Sequence, residues 1–183
     1  VAKLDSSGNF LWATKAGGTG SEYSNGITTI PNGSSIVTGY FDGSATFGST
    51  TLNNVGDKDI FVAALDADGN WINSIDLTAP TFSSAATSTD GTKVVLTYNE
   101  ALSSTTAATS TFAVTTDGTA NAVTAVAVSG STVELTLTNT VKNDQAVTVA
   151  YTDPSADNDT NAVQDSAGND AASLTSTSVT NNS

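Results

Sequence analysis

The sequence contains no cysteine, no histidine, no methionine and no arginine, and each absence excludes a class of chemistry. Without cysteine the chain has no disulfide, no thiolate nucleophile and no thiolate zinc site. Without histidine it lacks the side chain that most often transfers protons near neutral pH. Without cysteine and methionine it also resists oxidation. These absences are typical of an extracellular bacterial surface protein that is stabilised by turns and calcium instead of disulfides.

Positive charge is also scarce, because five lysines face 18 acidic residues and the net charge is -13. Such a surface repels a phosphate backbone, so we predict no nucleic-acid partner, and it attracts divalent cations. No apolar run is long enough to cross a membrane and no signal peptide is recognisable, so we predict no membrane insertion. Since the chain begins with valine, we expect a piece of a longer or processed secreted protein, located outside the cell or on the bacterial cell surface.

Glutamate is rare as well, which argues against a carboxylate-based enzyme. The three glutamates are Glu22, Glu100 and Glu134, whereas a glycosidase needs two carboxylates about 5–10 Å apart beside a groove. Alternation places Glu134 on the outward face of a strand, and Glu100 follows a strand at an edge or turn. Neither has an identifiable partner in the sequence, and Ser–His or Cys–His pairs are impossible. We therefore predict that the chain is not an enzyme.

A repeated segment is the clearest feature that the sequence does contain. Residues 1–12, VAKLDSSGNFLW, align with residues 62–73, VAALDADGNWIN, at an offset of 61 residues. Each copy reads as strand, tight turn and strand, which is the pattern of a β-hairpin. Aspartate leads each turn because its carboxylate bonds the backbone two residues on, and Gly-Asn tolerates positive φ.

The turn sequence DADGN also looks like the start of an EF-hand calcium loop. Asp66, Asp68 and Asn70 have the first part of the ligand spacing, but position 77, where that loop needs a bidentate glutamate, is leucine. The first copy has Ser7 in place of Asp68, so the carboxylate pair is not repeated. We interpret both segments as hairpin turns.

Short strands separated by turns continue between the two copies, in NGITTI, SSIVTGYF and ATFG. Four short strands in about sixty residues is the size of a propeller blade. The segments VAKLDSSGNFLWATKAGGTGSEYSNGI, VTGYFDGSATFG and DIFVAALDADGNW resemble, in this order, the bacterial β-propeller repeat called SBBP. The resemblance implies a blade-like antiparallel sheet over residues 1–75, although a propeller needs several blades to bury its faces.

From residue 76 onward, strands alternate apolar and polar residues, as in KVVLTYNEAL, STVELTLT and AVTVAYTD. In VELTLT, Val133, Leu135 and Leu137 fall on one face, which is the period-two pattern of a half-buried strand. About seven such strands suggest an immunoglobulin-like sandwich over residues 76–183. The predicted fold class is therefore all-β, with a small antiparallel blade-like sheet followed by an Ig-like β-sandwich.

The same half also carries a family resemblance. The stretches TAPTFSSAATSTDGTKVVLTYNEAL, VSGSTVELTL and VTVAYTDPSADNDTNAVQDSAGNDAAS resemble the bacterial Ig-like repeat named for a cyanobacterial swimming-motility surface protein. Unlike antibody domains, this half has no cysteine pair and no tryptophan. The resemblance implies a large, secreted, tandem-repeat surface protein and implies no activity.

An acidic segment, DPSADNDTNAVQDSAGND, is the candidate metal site. Five aspartates lie close together in it: Asp153, Asp157, Asp159, Asp165 and Asp170. Calcium takes six to eight oxygen ligands from carboxylates, amides and carbonyls. Five carboxylates without a nearby lysine repel one another, so either the loop stays extended in water or a cation gathers it. If a cation does, calcium is the predicted cofactor.

Two functions remain open. The first is structural: a repeat or subunit of an extracellular surface filament, adhesin stalk or matrix fibre, with other copies or neighbouring repeats as partners. A single blade cannot close its sheet, so we expect copies to share β-strands, with residues 1–12 or the closing SLTSTSVTNNS as the donated segment. The alternative is a glycan-binding module of an adhesin. Six aromatic residues of the first half either bind surface glycans or, as we favour, fill the small core of the sheet: Trp12, Tyr23, Tyr40, Phe41, Phe47 and Trp71.

Overall fold

The fold was obtained as a computed structural model that describes residues 1–155 and 161–183. It is all-β, as predicted, and its sheets are small and antiparallel. The chain divides into two compact units, Val1–Asp76 (unit 1) and Leu77–Ser183 (unit 2). Within the described ranges, no helix has the length and apolar character needed to span a bilayer.

Unit 1 consists of short strands joined by tight turns. Its strands are β1 (Ala2–Leu4), β2 (Phe10–Ala13), β3 (Ala16–Gly18), β4 (Glu22–Thr29), β5 (Ser35–Phe41), β6 (Ser44–Phe47), β7 (Thr50–Asn53), β8 (Asp59–Leu65) and β9 (Trp71–Ile72). They form three sheets, with the orders β1-β2, β3-β6-β7 and β4-β5-β8-β9.

The four-stranded sheet of unit 1 has two faces of different burial. Successive side chains of a strand point to opposite sides, and in β5 every second residue is buried while the others are half-buried. The inner face bears Val37, Phe41, Phe61 and Leu65, which form a small core with Ala45 and Phe47 of β6. The outer face bears the intervening residues of β5 and β8.

Both edges of this sheet are incompletely paired. On one side β4 is the last strand, and a register shift between Ser24 and Gly26 interrupts its pairing with β5. On the other side β9 pairs only with Ala64 and Leu65 of β8. Within the described part of the chain, residues 59–63 therefore have no β-partner on that side. Natural sheets usually protect such edges.

Unit 2 contains the longer alternating strands. These are β10 (Phe82–Thr87), β11 (Lys93–Tyr98), β12 (Phe112–Thr116), β13 (Thr119–Ala120), β14 (Val123–Ser129), β15 (Thr132–Leu137), β16 (Val147–Tyr151) and β17 (Leu174–Val179). They form two four-stranded sheets, with the orders β10-β11-β15-β14 and β13-β12-β16-β17.

A single core fills the space between the two sheets of unit 2. Val94 and Leu96 of one sheet belong to the same buried cluster as Val114 and Val149 of the other. The period-two prediction for β15 is confirmed, because Val133, Leu135 and Leu137 are buried and the residues between them are half-buried. The arrangement is a two-layer β-sandwich, while the specifically immunoglobulin-like topology stays a prediction.

One contact in unit 2 links the first strand to the segment after the last strand. Ala86 and Thr180 form a parallel bridge, whereas every strand pair of the unit is antiparallel among the residues described. The Thr87 amide donates to the Thr180 carbonyl, and the Thr180 amide donates to the Ala85 carbonyl, both at 2.9 Å. The hydroxyl of Thr87, which is buried, accepts from the amide of Asn182 at 2.7 Å.

Candidate functional site

The predicted hairpin turns share one hydrogen-bonding scheme. Asp5 Oδ1 accepts from the amides of Ser7 and Asn9, both at 2.8 Å, and Asp5 Oδ2 accepts from the Asn9 side chain at 2.9 Å. Asp66 makes the same three bonds to Asp68 and Asn70, at 3.0, 2.8 and 2.9 Å. The carboxylate thus replaces backbone partners inside the turn. The interpretation of both segments as turns is confirmed.

A third copy of this turn lies in the acidic segment. Asp165 Oδ1 accepts from the amides of Ala167 and Asn169, at 2.8 and 2.9 Å, and Oδ2 accepts from the Asn169 side chain at 2.8 Å. Gly168, between them, has a φ of 85°. Asp165 is one of the predicted metal ligands, and this turn was not predicted, although the Asp-x-x-Gly-Asn spacing of DSSGN and DADGN recurs in DSAGN.

The electrostatics of the three turns follow from their surroundings. The Asn9 side chain, donating to the Asp5 carboxylate, is the largest of the causes that lower the pKa of Asp5, and the backbone amides of the turn add to the effect. Asp5 is half-buried, whereas Asp165 is 3% exposed. A buried carboxylate depends on such hydrogen bonds, because it has lost its hydration.

The structure brings one further carboxylate to Asp165. Leu102 forms a bridge with Asp165, and the Ser103 amide donates to the Gln164 carbonyl at 2.8 Å. As a result, a carboxylate oxygen of Glu100 lies within 4.8 Å of one of Asp165. Glu100 was predicted to lie at an edge or turn, without a partner, so sequence reasoning missed this pair.

The other predicted metal ligands have different positions. Asp170 pairs with Gln164 at the foot of the third turn, and the amide of Asp153 donates to Ser173 Oγ at 2.9 Å. One carboxylate oxygen of Asp153 and one of Asp170 are sealed from solvent. Asp157 and Asp159 lie outside the described residues.

The donor set near the third turn is chemically suited to a hard cation. Carboxylate oxygens are preferred calcium ligands. A carboxylate offers about four lone-pair positions, and the turn of Asp165 uses three of them. The carboxylate of Glu100 lies next to this turn, so the two side chains together offer oxygen atoms of the class that calcium prefers.

Two tryptophans connect the parts of unit 1. Trp12 Nε1 donates to the carbonyl of Ala67 at 2.9 Å, and Trp71 Nε1 donates to the carbonyl of Lys15 at 3.0 Å. Trp12 and Trp71 also pack against the core of the unit, and Trp71 meets Phe47 edge to face at 5.2 Å. Buried indoles commonly combine apolar packing with one such hydrogen bond.

The aromatic residues of unit 1 therefore fall into two groups. Phe41 and Phe47 are buried in the core and the two tryptophans pack on it, as favoured from the sequence. Tyr23 and Tyr40 instead lie on the outer face, stacked at 4.9 Å. Lys58 Nζ lies 4.7 Å from the centre of the Tyr40 ring.

Glu134, the third glutamate, forms an ion pair with a lysine of the neighbouring strand. Lys93 Nζ lies 2.6 Å from Glu134 Oε2, on neighbouring strands at a partly exposed position. Glu134 thereby raises the pKa of Lys93 through its hydrogen bond and its charge. Exposed pairs of this kind contribute little to stability.

Comparison with known proteins gave three similarities. The model of a family described as "Putative flagellar system-associated repeat" (SWM repeat) matches residues 75–156, which include β10 to β16. This agrees with the resemblance seen in the sequence of the second half. A protein of Acanthamoeba polyphaga mimivirus, described as an uncharacterized WD repeat-containing protein, L264, is 38% identical over 77 residues. That alignment covers 38% of this chain, which spans about 6% of the length of that relative.

Among solved structures, the chain is similar to the N-terminal part of the bacterial S-layer protein SbsC. The sequence identity is 24% and the TM-score is 0.46. The alignment covers 57% of this chain and 24% of that chain.

Proposed function

We propose that the chain is a structural repeat segment of an extracellular bacterial surface or flagellum-associated assembly. The match of residues 75–156 to a flagellar system-associated repeat is the observation that carries this proposal. The two-layer core of unit 2 supports it, because one buried hydrophobic cluster joins both sheets into a compact unit. A unit of this kind serves as a spacer or a building block.

Unit 1 provides the means by which copies associate in this proposal. Among residues 1–155 and 161–183, the edge of β4 and residues 59–63 of β8 have no strand partner on their outer side, which leaves them open to β-strand addition. An apolar groove of about 430 Å³ lies beside β8 and is lined by Leu52, Val62 and Ile72 among others. An extended segment of another copy fits such a groove, which favours a filament, stalk or matrix fibre.

Calcium is the ion that we propose for unit 2. The buried turn of Asp165 and the neighbouring carboxylate of Glu100 support it, because carboxylate oxygens within 4.8 Å of one another can both contact one calcium ion. The predicted ligands Asp153 and Asp170 lie on the segments that flank this turn.

A glycan-binding role is the second candidate, and one observation favours it. The exposed ring of Tyr23 stacks on the half-buried ring of Tyr40, beside a lysine. A glycan array probed with the intact chain and with the Tyr23→Ser variant tests this role. Array signals that are lost in the variant would favour glycan binding over the structural role.

Surface labelling of intact bacteria tests the structural role. Antibodies raised against the purified chain are expected to label cells that carry the parent protein without permeabilisation, in a continuous layer or along appendages. A matched control is a cytoplasmic enzyme of the same cells, which is labelled only after lysis. Labelling of the parent protein only after lysis would contradict an extracellular structural role.

A further inference from the structure

The two repeated hairpins of unit 1 stand in a defined relationship to each other. The first hairpin comprises residues 1–13, and the second comprises residues 62–73, at the offset of 61 residues. Val1, Lys3 and Trp12 lie on one side of the first hairpin, because Lys3 pairs with Trp12. Val1 lines a cavity with Val37 and Phe61, and Trp12 packs on the same core. The side with Val1, Lys3 and Trp12 is called the outer side of the first hairpin, and the opposite side is called its inner side. The outer side thus packs on the inner face of the sheet that contains the second hairpin.

The first hairpin leaves its own inner side exposed. Leu4 and Phe10 pair on that side and are 48% and 71% exposed. Their equivalents in the second hairpin are Leu65, which is 0% exposed, and Trp71, which is half-buried. The same pair of positions is therefore covered in one hairpin and open in the other.

The turn glycines show the same difference. A Cβ on Gly69 would come within 2.6 Å of the Trp12 indole, so the second turn is covered by a side chain of the first hairpin. A Cβ on Gly8, the equivalent position, would meet no atom within 4 Å among the residues described. Both glycines have nearly the same φ, 84° and 86°.

The second hairpin leaves its outer side exposed. Val62, the equivalent of Val1, is 71% exposed, and Ile60 on the same side of β8 is 81% exposed. The chain therefore presents two apolar surfaces: the inner side of the first hairpin and the outer side of the second. Exposed β-branched and aromatic side chains on a sheet are common at protein interfaces.

We propose that the outer side of the second hairpin of one copy packs on the inner side of the first hairpin of another copy. This contact repeats, between copies, the contact that the first hairpin makes with the second hairpin inside the chain. It rests on the structural role proposed above and names a second copy of the chain as the partner. The two surfaces differ, so the contact is heterologous and propagates head to tail into a fibre.

Single substitutions on each surface test this contact in the intact chain. Val62→Lys places a charge on the outer side of the second hairpin, and Phe10→Lys places a charge on the inner side of the first hairpin. Each is expected to weaken association by about tenfold or more, because it places a charge where the proposed contact buries an apolar side chain. Sedimentation velocity across a concentration series measures the change. Val55→Lys is the matched control, since Val55 is 87% exposed, lies outside both hairpins and gives the same charge change.

An equimolar mixture of the two variants gives the decisive result. Each variant keeps one intact surface, so the mixture is expected to form a 1:1 dimer and nothing longer. Thermal unfolding of each variant checks the fold, and Ile60→Lys and Leu4→Lys repeat the test if Val62→Lys or Phe10→Lys lowers the melting temperature.

Several outcomes would overturn the contact. These are an intact chain that stays monomeric, a closed symmetric dimer of the intact chain, a mixture that does not dimerise, or equal weakening by Val55→Lys. None of them affects surface labelling of intact cells, so failure of this contact and failure of the structural role are distinguishable.

Discussion

The indole nitrogen of Trp12 donates a hydrogen bond to the carbonyl of Ala67, 55 residues further along the chain. The ring covers Gly69, two residues beyond the acceptor. A side chain of the first hairpin thus closes the turn of the second one. The buried cluster of unit 1 contains only six residues, so we expect this contact to matter for its stability.

Gly69→Ala is expected to destabilise unit 1 more than Gly8→Ala. Both substitutions place alanine at positive φ, which costs about 1–2 kcal/mol. Only Gly69→Ala also forces a methyl group into the Trp12 ring, and overpacking of this kind costs about 1–3 kcal/mol more. Urea unfolding followed by tryptophan fluorescence measures the difference, because both tryptophans belong to unit 1. Equal losses from the two variants would contradict the contact.

Asp165→Ala is expected to reduce the free energy of unfolding of unit 2 by about 1–3 kcal/mol, because it leaves buried amides without their acceptor. The matched variant Asp5→Ala removes the same three bonds from an exposed turn, where water replaces them, and is expected to cost less. Asp165→Asn keeps an oxygen that can accept from the two backbone amides and loses only the acceptor of the Asn169 side chain, so its loss is expected to be smaller than that of Asp165→Ala. Denaturant titrations by far-UV circular dichroism measure these losses. A larger loss for Asp5→Ala would be inconsistent with the role of burial.

Unit 2 is expected to fold alone, and unit 1 is not. Among the residues that the structure describes, the buried cluster of unit 2 has 17 members, compared with six in unit 1. Because apolar burial must offset the entropy of ordering the chain, the smaller cluster is insufficient. Fragments of residues 76–183 and 1–75 can be compared by thermal unfolding. A cooperative transition in the shorter fragment would show that unit 1 is stable without its neighbour.

Calcium is expected to raise the melting temperature of unit 2, and a chelator is expected to reverse the effect. Mass action predicts about 2.7 kcal/mol when calcium is a hundredfold above its Kd. Glu100→Gln should remove much of this gain without disturbing the Asp165 turn, whereas Asp157→Ala with Asp165→Ala should remove all of it. Asp144→Asn, at an exposed loop position, is the control. Identical melting curves in calcium and in chelator would rule out the site.

The turn at Asp90 is expected to make stability depend on pH in the acid range. The hydrogen bond from the Ser88 hydroxyl, followed by those from Thr92, lowers the pKa of Asp90 from 3.8 to about 2. A carboxylate whose pKa is lowered in the folded state stabilises the fold at pH values above its unfolded-state pKa. This stabilisation is lost as the pH falls through the folded-state pKa. The melting temperature of Asp90→Ala should therefore lie below that of the intact chain at about pH 5 and approach it near about pH 2. A difference that does not change with pH would contradict this origin.

Local features were predictable from the sequence because they depend on a few neighbouring residues. The Asp5 and Asp66 turns close within five residues, and the alternation of Val133 and Leu135 reports directly which side of a strand is buried. The third turn has the same local spacing, but it lies among carboxylates whose density also fits a metal site. Its spacing was sufficient to identify it.

Contacts between distant segments were not predictable in the same way. The approach of Glu100 to Asp165 depends on the bridge between Leu102 and Asp165, and nothing in either segment encodes its partner. The placement of Trp12 on the turn at Gly69 likewise depends on how two hairpins pack. The hydrophobic pattern predicts that an apolar side chain such as that of Trp12 is buried. Which segment it packs against is determined by the packing of the whole unit.

The parallel contact between Ala86 and Thr180 determines how unit 2 responds to mechanical force. It joins the first strand of the unit to the segment just after the last one. A pull on the two ends of the unit draws these parallel segments past each other in opposite directions. The force then shears the hydrogen bonds of Thr87 and Thr180 simultaneously, whereas an antiparallel closing pair would peel apart one bond at a time. Resistance to such a load is governed by the unfolding rate, and this geometry places the load where several bonds must break together.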